Sequence, residues 1–229
     1  MASIEPAARG RRLIAIPILL LVAASAACSR RVPTLVPPSC EVEAVEGFAS
    51  AAVAGRDAAL KGRFAFLFRR PGFGRVEAVD PVGRPVFLVL FRDGRAFFAL
   101  PGKKVYAEDD AGVMMERILG VRLLPDEAVR LLSGRWGEAS GEGAWSVDRD
   151  GRGRVAGGVR DGFGFAVQAF FPGAAVPREI ALSGPGTSGR VKILKLGFNP
   201  EPREGAFDAA FLRSYAPRSW DGILGLLDR

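Results

Sequence analysis

The sequence predicts an α+β fold, mainly β: one strongly curved antiparallel sheet of about nine or ten strands with helices packed on one face. Three observations lead to this prediction. Apolar residues alternate with other residues at strand spacing, most clearly at Phe64, Phe66 and Phe68. Turn dipeptides, such as Asp93-Gly94 and Asp161-Gly162, separate the alternating runs. A pair of short helical patterns interrupts the series in its middle.

The first half of the chain predicts one helix followed by strands. Glu41 to Val53 carries apolar residues at helical spacing and predicts a short amphipathic helix. The strands that follow are bounded by turn residues and are predicted at Leu60–Arg69, Arg75–Val79, Pro85–Phe91, Ala96–Leu100 and Lys104–Tyr106. The segment Pro85–Phe91 is apolar on both faces, so we expect a central strand that is covered on each side.

The second half begins with two helices and returns to strands. Ala111–Leu119 has an apolar stripe and stops at Gly120, and Pro125 opens a second helix that runs through Leu132. The remaining elements are strands that start at Trp145 and continue at Arg154–Val159, Gly164–Phe171, Pro177–Leu182 and Arg190–Phe198, then short terminal helices at Phe207–Tyr215 and Trp220–Leu227.

The N-terminus has the composition of a secretory signal. Basic residues precede an apolar run, Leu13–Ala24, and the small residues Ser25–Ala27 lead directly to Cys28. This order resembles a bacterial lipobox, in which the cysteine is lipid-modified, becomes the mature N-terminus and carries fatty chains such as palmitate. The apolar run is shorter than the about 20 residues of a transmembrane helix. Plain secretion and a retained anchor are the alternatives.

Four segments are therefore predicted. Residues 1–27 form the lipoprotein signal peptide, and residues 28–40 form a Pro-rich tether. Residues 41–199 form one folded domain, and residues 200–229 form a C-terminal extension. If Cys28 is lipidated, Cys40 is left as a free thiol or as an intermolecular partner.

Composition argues against several classes of function. The chain contains no histidine, so Ser-His-Asp and Cys-His arrangements cannot form and the commonest general base and metal ligand is missing. We therefore predict no enzymatic activity, no catalytic residues, no metal site and no cofactor. The formal net charge is +7, but aromatic and basic residues form no nucleic-acid motif. We expect no nucleic-acid partner, and a basic surface that is either merely solvated or faces anionic lipid headgroups.

The order of these elements resembles the LolA/LolB family, which carries and receives lipoproteins in Gram-negative bacteria. The residues that carry the resemblance are the strand Gly62–Phe66, the loop Asp80-Pro81-Val82-Gly83 in place of the family's Asn-Pro-Leu-Gly, the helices Met115–Gly120 and Pro125–Gly134, and the hairpin from Val176–Ile180 to Lys192–Leu196. The resemblance implies an unclosed half-barrel of about nine to eleven strands over residues 41–199, with a helical lid. It also implies a hydrophobic cavity for acyl chains.

The resemblance implies three kinds of site. Cys28 would carry the lipid anchor. Pro81, Val82 and Gly83 would form a membrane-delivery loop, with Val82 in place of an exposed leucine that hands lipoproteins to the membrane. The implied acyl-cavity lining consists of Phe64, Phe66, Phe68, Phe87, Val89, Phe91, Phe97, Met114, Met115, Ile118, Leu119 and Phe165.

The lipobox makes the receptor branch of the family the nearer match. A receptor would take acylated lipoproteins from a periplasmic LolA-like carrier and, acting as a chaperone, deliver them to the outer membrane from its periplasmic face. Ser29 is compatible with outer-membrane sorting, because the usual inner-membrane retention signal is Asp at that position. Two alternatives remain open: a structural or adaptor lipoprotein whose apolar residues fill a core, and a carrier of another lipid.

Overall fold

The described residues form a single open sheet. The computed structural model describes residues 34–54, 59–80, 82–137 and 144–227. All of the described secondary structure lies within Thr34–Arg229, which forms one compact unit with its own core. Twelve strands form the sheet, and the two strands at its ends have one neighbour each. The predicted fold class, a mainly β unclosed half-barrel with a helical lid, is confirmed.

The sheet is built almost entirely from hairpins. The strands are β1 (Ala44–Ala54), β2 (Ala59–Arg69), β3 (Phe73–Val79), β4 (Pro85–Arg92), β5 (Arg95–Leu100), β6 (Val105–Asp110), β7 (Ser146–Arg149), β8 (Val155–Arg160), β9 (Phe163–Phe170), β10 (Pro177–Gly184), β11 (Thr187–Phe198) and β12 (Ala216–Pro217). Their order across the sheet is β12-β6-β5-β4-β3-β2-β1-β11-β10-β9-β8-β7. All neighbours are antiparallel except β12, a short strand that runs parallel to β6.

In the described part of the chain three α-helices accompany the sheet: α1 (Ala111–Leu119), α2 (Pro125–Ser133) and α3 (Trp220–Leu227). The Asp110 carboxylate caps α1 by accepting the backbone N–H of Gly112 at 2.8 Å. Gly120 ends the helix with a φ of 68°, and a Cβ there would lie 1.6 Å from the Thr187 hydroxyl oxygen. Only glycine allows α1 to stop this close to β11. Within the predicted helix Phe207–Tyr215, only Ala210–Ser214 is helical, as a 3-10 turn.

The helix predicted over Glu41–Val53 is wrong, because this segment forms the central strand β1. The small residues of this segment fit both the 3.6-residue period of a helix and the two-residue period of a strand. In the structure the alternating residues lie on one face of the sheet: Val45, Gly47, Ala49, Ala51 and Val53. Hydrogen bonding to both β2 and β11 decides the outcome. A Cβ at Gly47 would lie 2.0 Å from the Lys195 carbonyl oxygen, so the strands approach too closely for a side chain at this position.

The two faces of the sheet differ in what covers them. On β2, Phe64, Phe66 and Phe68 point to the face against which α1 and α2 pack, which we call the lid face. Arg63 and Leu67 point to the opposite, outer face. The alternation of side chains along each strand produces this division.

The C-terminal extension packs around one edge of the sheet. On the outer face Leu212 packs against Leu88 and Ala99, and β12 then pairs with the edge of β6. Beyond that edge α3 reaches the lid face, where Trp220 meets Phe98 edge-on with a centroid separation of 5.3 Å. The extension therefore covers a strand edge that would otherwise offer unpaired backbone groups.

Candidate functional site: an apolar cavity beneath the lid

An apolar cavity of about 150 Å³ lies between the lid face and the helices. The sheet lines it with Ala49, Ala51, Val53, Leu60, Phe64, Phe66, Phe68, Val76, Phe87, Val89, Phe91, Ile180, Leu182, Val191 and Ile193. The lid contributes Met115, Ile118, Leu119, Leu123, Ala128, Leu131 and Leu132. Every lining residue is apolar, so the cavity is suited to hydrocarbon and offers no side-chain polar group to a ligand.

The register of β1 against β2 explains why space remains beneath the lid helices. Phe64 lies opposite Ala49 on β1, and Ala51 lies opposite Gly62 on β2. Nothing lies within 4 Å of the position that a Cβ on Gly62 would occupy. Small residues on β1 therefore leave room beside the large rings of β2, and the lid closes over that room without filling it.

A row of aromatic rings forms one wall and leads from the cavity towards the C-terminal extension. The ring centroids of Phe64 and Phe87 are 5.9 Å apart, and those of Phe87 and Phe98 are 5.0 Å apart. Phe98 in turn contacts Trp220, whose ring lies 5.7 Å from the Arg117 guanidinium carbon. The cavity wall is thus continuous with the packing of α3.

Polar contacts hold the start of α2 against the sheet. Arg160 on β8 binds Glu127 with Nη1 and Oε1 at 2.5 Å, and only about a seventh of each side chain is exposed. The Arg160 guanidinium carbon also lies 4.6 Å from the centroid of the Trp145 ring. Asp126 accepts the backbone N–H of Gly72, in the β2–β3 turn, at 2.6 Å. These contacts connect one lid helix to two separate parts of the sheet.

The structure brings together nine of the twelve residues predicted to line a cavity, and places three elsewhere. Phe97 lies on the outer face with Tyr106, and their ring centroids are 6.3 Å apart, a separation typical of aromatic pairs. Phe165 stacks on Trp136 at 5.4 Å, away from the cavity. Met114 is 1 % exposed and does not contribute to the cavity surface. The acyl ligand itself stays a prediction.

Sequence reasoning missed several lining residues. Ile180 and Leu182 alternate on a strand that was predicted, so their face could have been inferred from the period of two. Ala49, Ala51 and Val53 were assigned to a helix, and their small size gave no signal of a ligand site. The pairing of β1 with its neighbours was needed to find them.

The β3–β4 turn presents Val82, whose side chain is 80 % exposed. The Asp80 carboxylate accepts the backbone N–H of Val82 and that of Arg84, each at 2.9 Å, and the Arg84 Nε–H at 2.8 Å. These hydrogen bonds, led by the backbone N–H of Arg84, lower the pKa of Asp80 below its ordinary value of 3.8. Gly83 has a φ of 87°, which suits glycine, and Pro81 lies outside the described residues.

The same turn occurs a second time, between β7 and β8. Asp150 accepts the backbone N–H groups of Arg152 and Arg154 at 2.9 and 3.0 Å, and the Arg154 Nε–H at 2.8 Å. The hydrogen bond from the Arg154 side chain is the main cause of a lowered pKa at Asp150. The exposed tip of this second turn is Arg152 rather than valine. It provides a control of equal geometry for experiments on Val82.

Residues 1–27 and Cys28 lie outside the described residues. Cys40 is exposed and free, with its Sγ 3.6 Å from Asn199 Nδ2. Among the described residues, no three His, Cys, Asp or Glu side chains are grouped closely enough to hold a metal ion. No helix in that same part of the chain is long and apolar enough to cross a membrane.

Together, the open sheet, the helical lid and the apolar cavity define a class of fold: an unclosed half-barrel with an apolar space beneath a helical lid. A solved structure with this fold is a proposed outer membrane lipoprotein-sorting protein domain from Vibrio parahaemolyticus. Its TM-score is 0.50 at 10% identity, over 75% of this chain and 92% of that one. The LolA/LolB-like fold implied by the sequence resemblance is thereby confirmed.

Two further solved structures are similar at lower scores. A LolA superfamily protein from Nitrosomonas europaea has a TM-score of 0.47 at 12% identity, over 75% of this chain and 93% of that one. A DUF1329 family protein from Desulfovibrio piger has a TM-score of 0.46 at 11% identity, over 75% of this chain and 92% of that one. No protein-family model matches the sequence, and no curated protein matches it either.

Proposed function

We propose that this protein is a lipid-anchored receptor that binds the acyl chains of lipoproteins in the cavity beneath its lid and delivers them to the outer membrane. The observation that carries the proposal is the cavity itself, whose lining is wholly apolar. Transfer of an acyl chain from water into such a space is favourable by about 0.8 kcal/mol for each methylene group. Binding and transfer would be non-covalent and would need no cofactor.

The cavity in this structure is small compared with an acyl chain. An apolar cavity of about 150 Å³ accepts a ligand of the size of benzene. That volume holds only a short part of an acyl chain. Entry of a whole chain therefore requires α1 and α2 to move away from the lid face, with Met115 adapting to the ligand because its thioether side chain is flexible.

The delivery step is assigned to the β3–β4 turn. Val82 is an exposed apolar residue held at the tip of a turn that Asp80 keeps in one conformation. Such a tip can enter the headgroup boundary of a bilayer at little entropic cost, because the turn is already ordered. Lipidation of Cys28 with more than one fatty chain would keep the domain at the membrane.

The shared fold supports this assignment. The structure from Vibrio parahaemolyticus is described as a proposed outer membrane lipoprotein-sorting domain, and 92% of it is covered by this chain. The source of the cargo would be a periplasmic LolA-like carrier. Receipt from that carrier requires the acyl chains to bind more favourably here than in the carrier, and this difference would set the direction of transfer.

A transfer experiment tests the proposal. A form of the protein that starts at Ser29 is mixed with an acylated lipoprotein held by its periplasmic carrier, and co-purification of the lipoprotein is followed. We expect the lipoprotein to move to this protein, and then to vesicles. Val82→Glu should accept the lipoprotein normally and fail to deliver it. Arg152→Glu, a substitution at the tip of the twin turn, should change neither step.

The outcomes separate the alternatives. If the lipoprotein stays on its carrier and no fluorescent fatty acid binds, the core is filled and the adaptor function replaces the proposal. If a fatty acid or phospholipid binds and the lipoprotein does not transfer, the protein carries another lipid. Equal delivery by the parent protein and by Val82→Glu would remove the turn from the mechanism.

A further inference from the structure

Two turns lie side by side at one end of the sheet. Leu88 on β4 pairs with Ala99 on β5, so the start of β4 lies next to the end of β5. The described residues of the β3–β4 turn (80 and 82–84) are therefore adjacent to the β5–β6 turn (residues 101–104). We call these turns, together with the neighbouring end of β2, the apex.

The apex is strongly cationic. Lys103 and Lys104 are exposed in the β5–β6 turn. Lys61 and Arg63 are exposed on β2, where Arg63 pairs with Val79 at the start of the β3–β4 turn. None of these four side chains forms an ion pair with an acid in the described part of the chain.

The acids that the structure describes near the apex are already engaged in pairs. Asp80 is the acid of the two apical turns, and its carboxylate binds Arg84 and two backbone N–H groups. Glu77, further along β3, pairs with Arg75 at 2.6 Å. The unpaired lysines and Arg63 therefore leave a net positive potential at the apex.

Apolar residues are exposed among these cations. Val82 is 80 % exposed, and Val86 is 48 % exposed. Val86 is the extra residue of a β-bulge, because Ala78 pairs with Phe87 and the next residue of β3 pairs with Pro85. The bulge holds Val86 out of the regular pairing at the start of β4. Exposed apolar side chains surrounded by lysine and arginine are typical of surfaces that bind the membrane interface.

We infer that the apex binds the anionic headgroups of a lipid bilayer, with Lys61, Arg63, Lys103 and Lys104 contacting phosphate groups while Val82 and Val86 enter the headgroup boundary. This inference rests on the proposed function, because it gives the lipid chemistry that the delivery turn would recognise. Lysine acts towards phosphate as a flexible point charge, which suits a fluid surface. A protein partner would need a larger apolar contact than two valines provide.

Vesicle sedimentation tests the inference with the form that starts at Ser29. Vesicles of phosphatidylcholine alone are compared with an equal mixture of phosphatidylcholine and phosphatidylglycerol. We expect the protein to bind the mixture more tightly, and to lose that preference as salt is raised. The double substitution Lys103→Gln/Lys104→Gln should weaken binding to the mixture by about fivefold for each lysine.

The matched control is Arg152→Gln/Lys195→Gln. It removes the same charge from exposed side chains away from the apex: Arg152 lies in the β7–β8 turn at the opposite edge of the sheet, and Lys195 lies opposite Phe48. Its binding should remain close to that of the parent protein. An equal loss in both variants would mean that only net charge matters and would overturn the inference, as would a parent protein with no preference for anionic vesicles.

Binding of a fluorescent fatty acid is measured on the same samples. The apical lysines lie outside the cavity, so the parent protein and Lys103→Gln/Lys104→Gln should bind the probe equally. If Lys103→Gln/Lys104→Gln loses the preference for anionic vesicles and still binds the fatty acid normally, the result supports the apex as the lipid contact. If the parent protein prefers anionic vesicles but does not bind the fatty acid, the proposed cargo function is refuted and the apical contact with lipid is still supported.

Discussion

Arg160 and Glu127 form a two-point ion pair that joins strand β8 to lid helix α2: Nη1 lies 2.5 Å from Oε1, and Nη2 lies 3.1 Å from Oε2. Glu127 Oε2 also accepts the backbone N–H of Leu124 at 2.9 Å, just before the helix starts. One carboxylate thus caps the helix and holds it to the sheet. This arrangement makes the pair a polar restraint on the start of α2.

Removal of this pair should destabilise the lid. Arg160→Met leaves Glu127 largely buried and without its cation, and we expect a loss of about 3 kcal/mol in the free energy of unfolding, measured with urea. Hydrogen exchange of the α2 amides should quicken as well. The exposed pair Arg95–Glu108 provides the control, and Arg95→Met should cost less than about 1 kcal/mol. Equal losses in the two variants would contradict this role for Arg160.

Partial filling of the cavity should block acyl binding without unfolding the sheet. Ala51→Leu places a larger side chain opposite Gly62, where the position of a Cβ has no neighbour within 4 Å. We expect the affinity for a fluorescent fatty acid to fall at least tenfold, because the added atoms occupy about a third or more of the ligand space. Ala52→Leu adds the same atoms on the outer face and should bind the probe normally. Unchanged binding by Ala51→Leu would show that the probe lies elsewhere.

Loss of the Trp220 ring should weaken both the fold and the wall of the cavity. The ring is 7 % exposed and contacts Phe98, which stacks on Phe87. Trp220→Ala should lower the free energy of unfolding by about 3 to 5 kcal/mol, as for other buried aromatic residues. Asp221→Ala, a change at the next and exposed residue, should cost little. A small effect of Trp220→Ala would mean that α3 is not part of the core.

The order of the β3–β4 turn should depend on pH. Hydrogen bonds from Arg84 lower the pKa of Asp80 in the folded protein, so the carboxylate stabilises the turn above the ordinary pKa of 3.8. That contribution is lost as the pH falls through the lower, folded pKa. Carbon-13 NMR titration of the carboxyl groups should show depressed midpoints for Asp80 and for its twin Asp150. A midpoint at or above 3.8 for Asp80 would contradict the observed turn.

Much of the fold could be predicted because its signals are local. The alternation at Phe64, Phe66 and Phe68 requires a strand wherever one face is covered, and Asp93-Gly94 closes a hairpin without reference to the rest of the chain. Helix α1 likewise has its own start signal at Asp110 and its own stop at Gly120. These features depend on neighbours in sequence.

Other features depend on residues that are distant in sequence. The small residues of β1 satisfy both a helical and a strand period, and pairing with β2 and β11 selects the strand. Phe97 is aromatic, like several residues that line the cavity. Its register on β5 nevertheless places it on the outer face with the C-terminal extension. Sequence spacing cannot distinguish these cases, because a shift of one residue exchanges the two faces of a strand.

The sequence by itself determined that this chain forms a hairpin-rich sheet with a helical interlude, that it lacks histidine chemistry, and that an apolar residue lies at the tip of the Asp80 turn. Only the tertiary structure decided that an apolar space remains beneath the lid and that the turn carrying Val82 lies beside the turn carrying Lys103 and Lys104. The physical reason is that local periods set which elements form. The size of a cavity and the clustering of charged side chains depend instead on which strands become neighbours in the folded sheet.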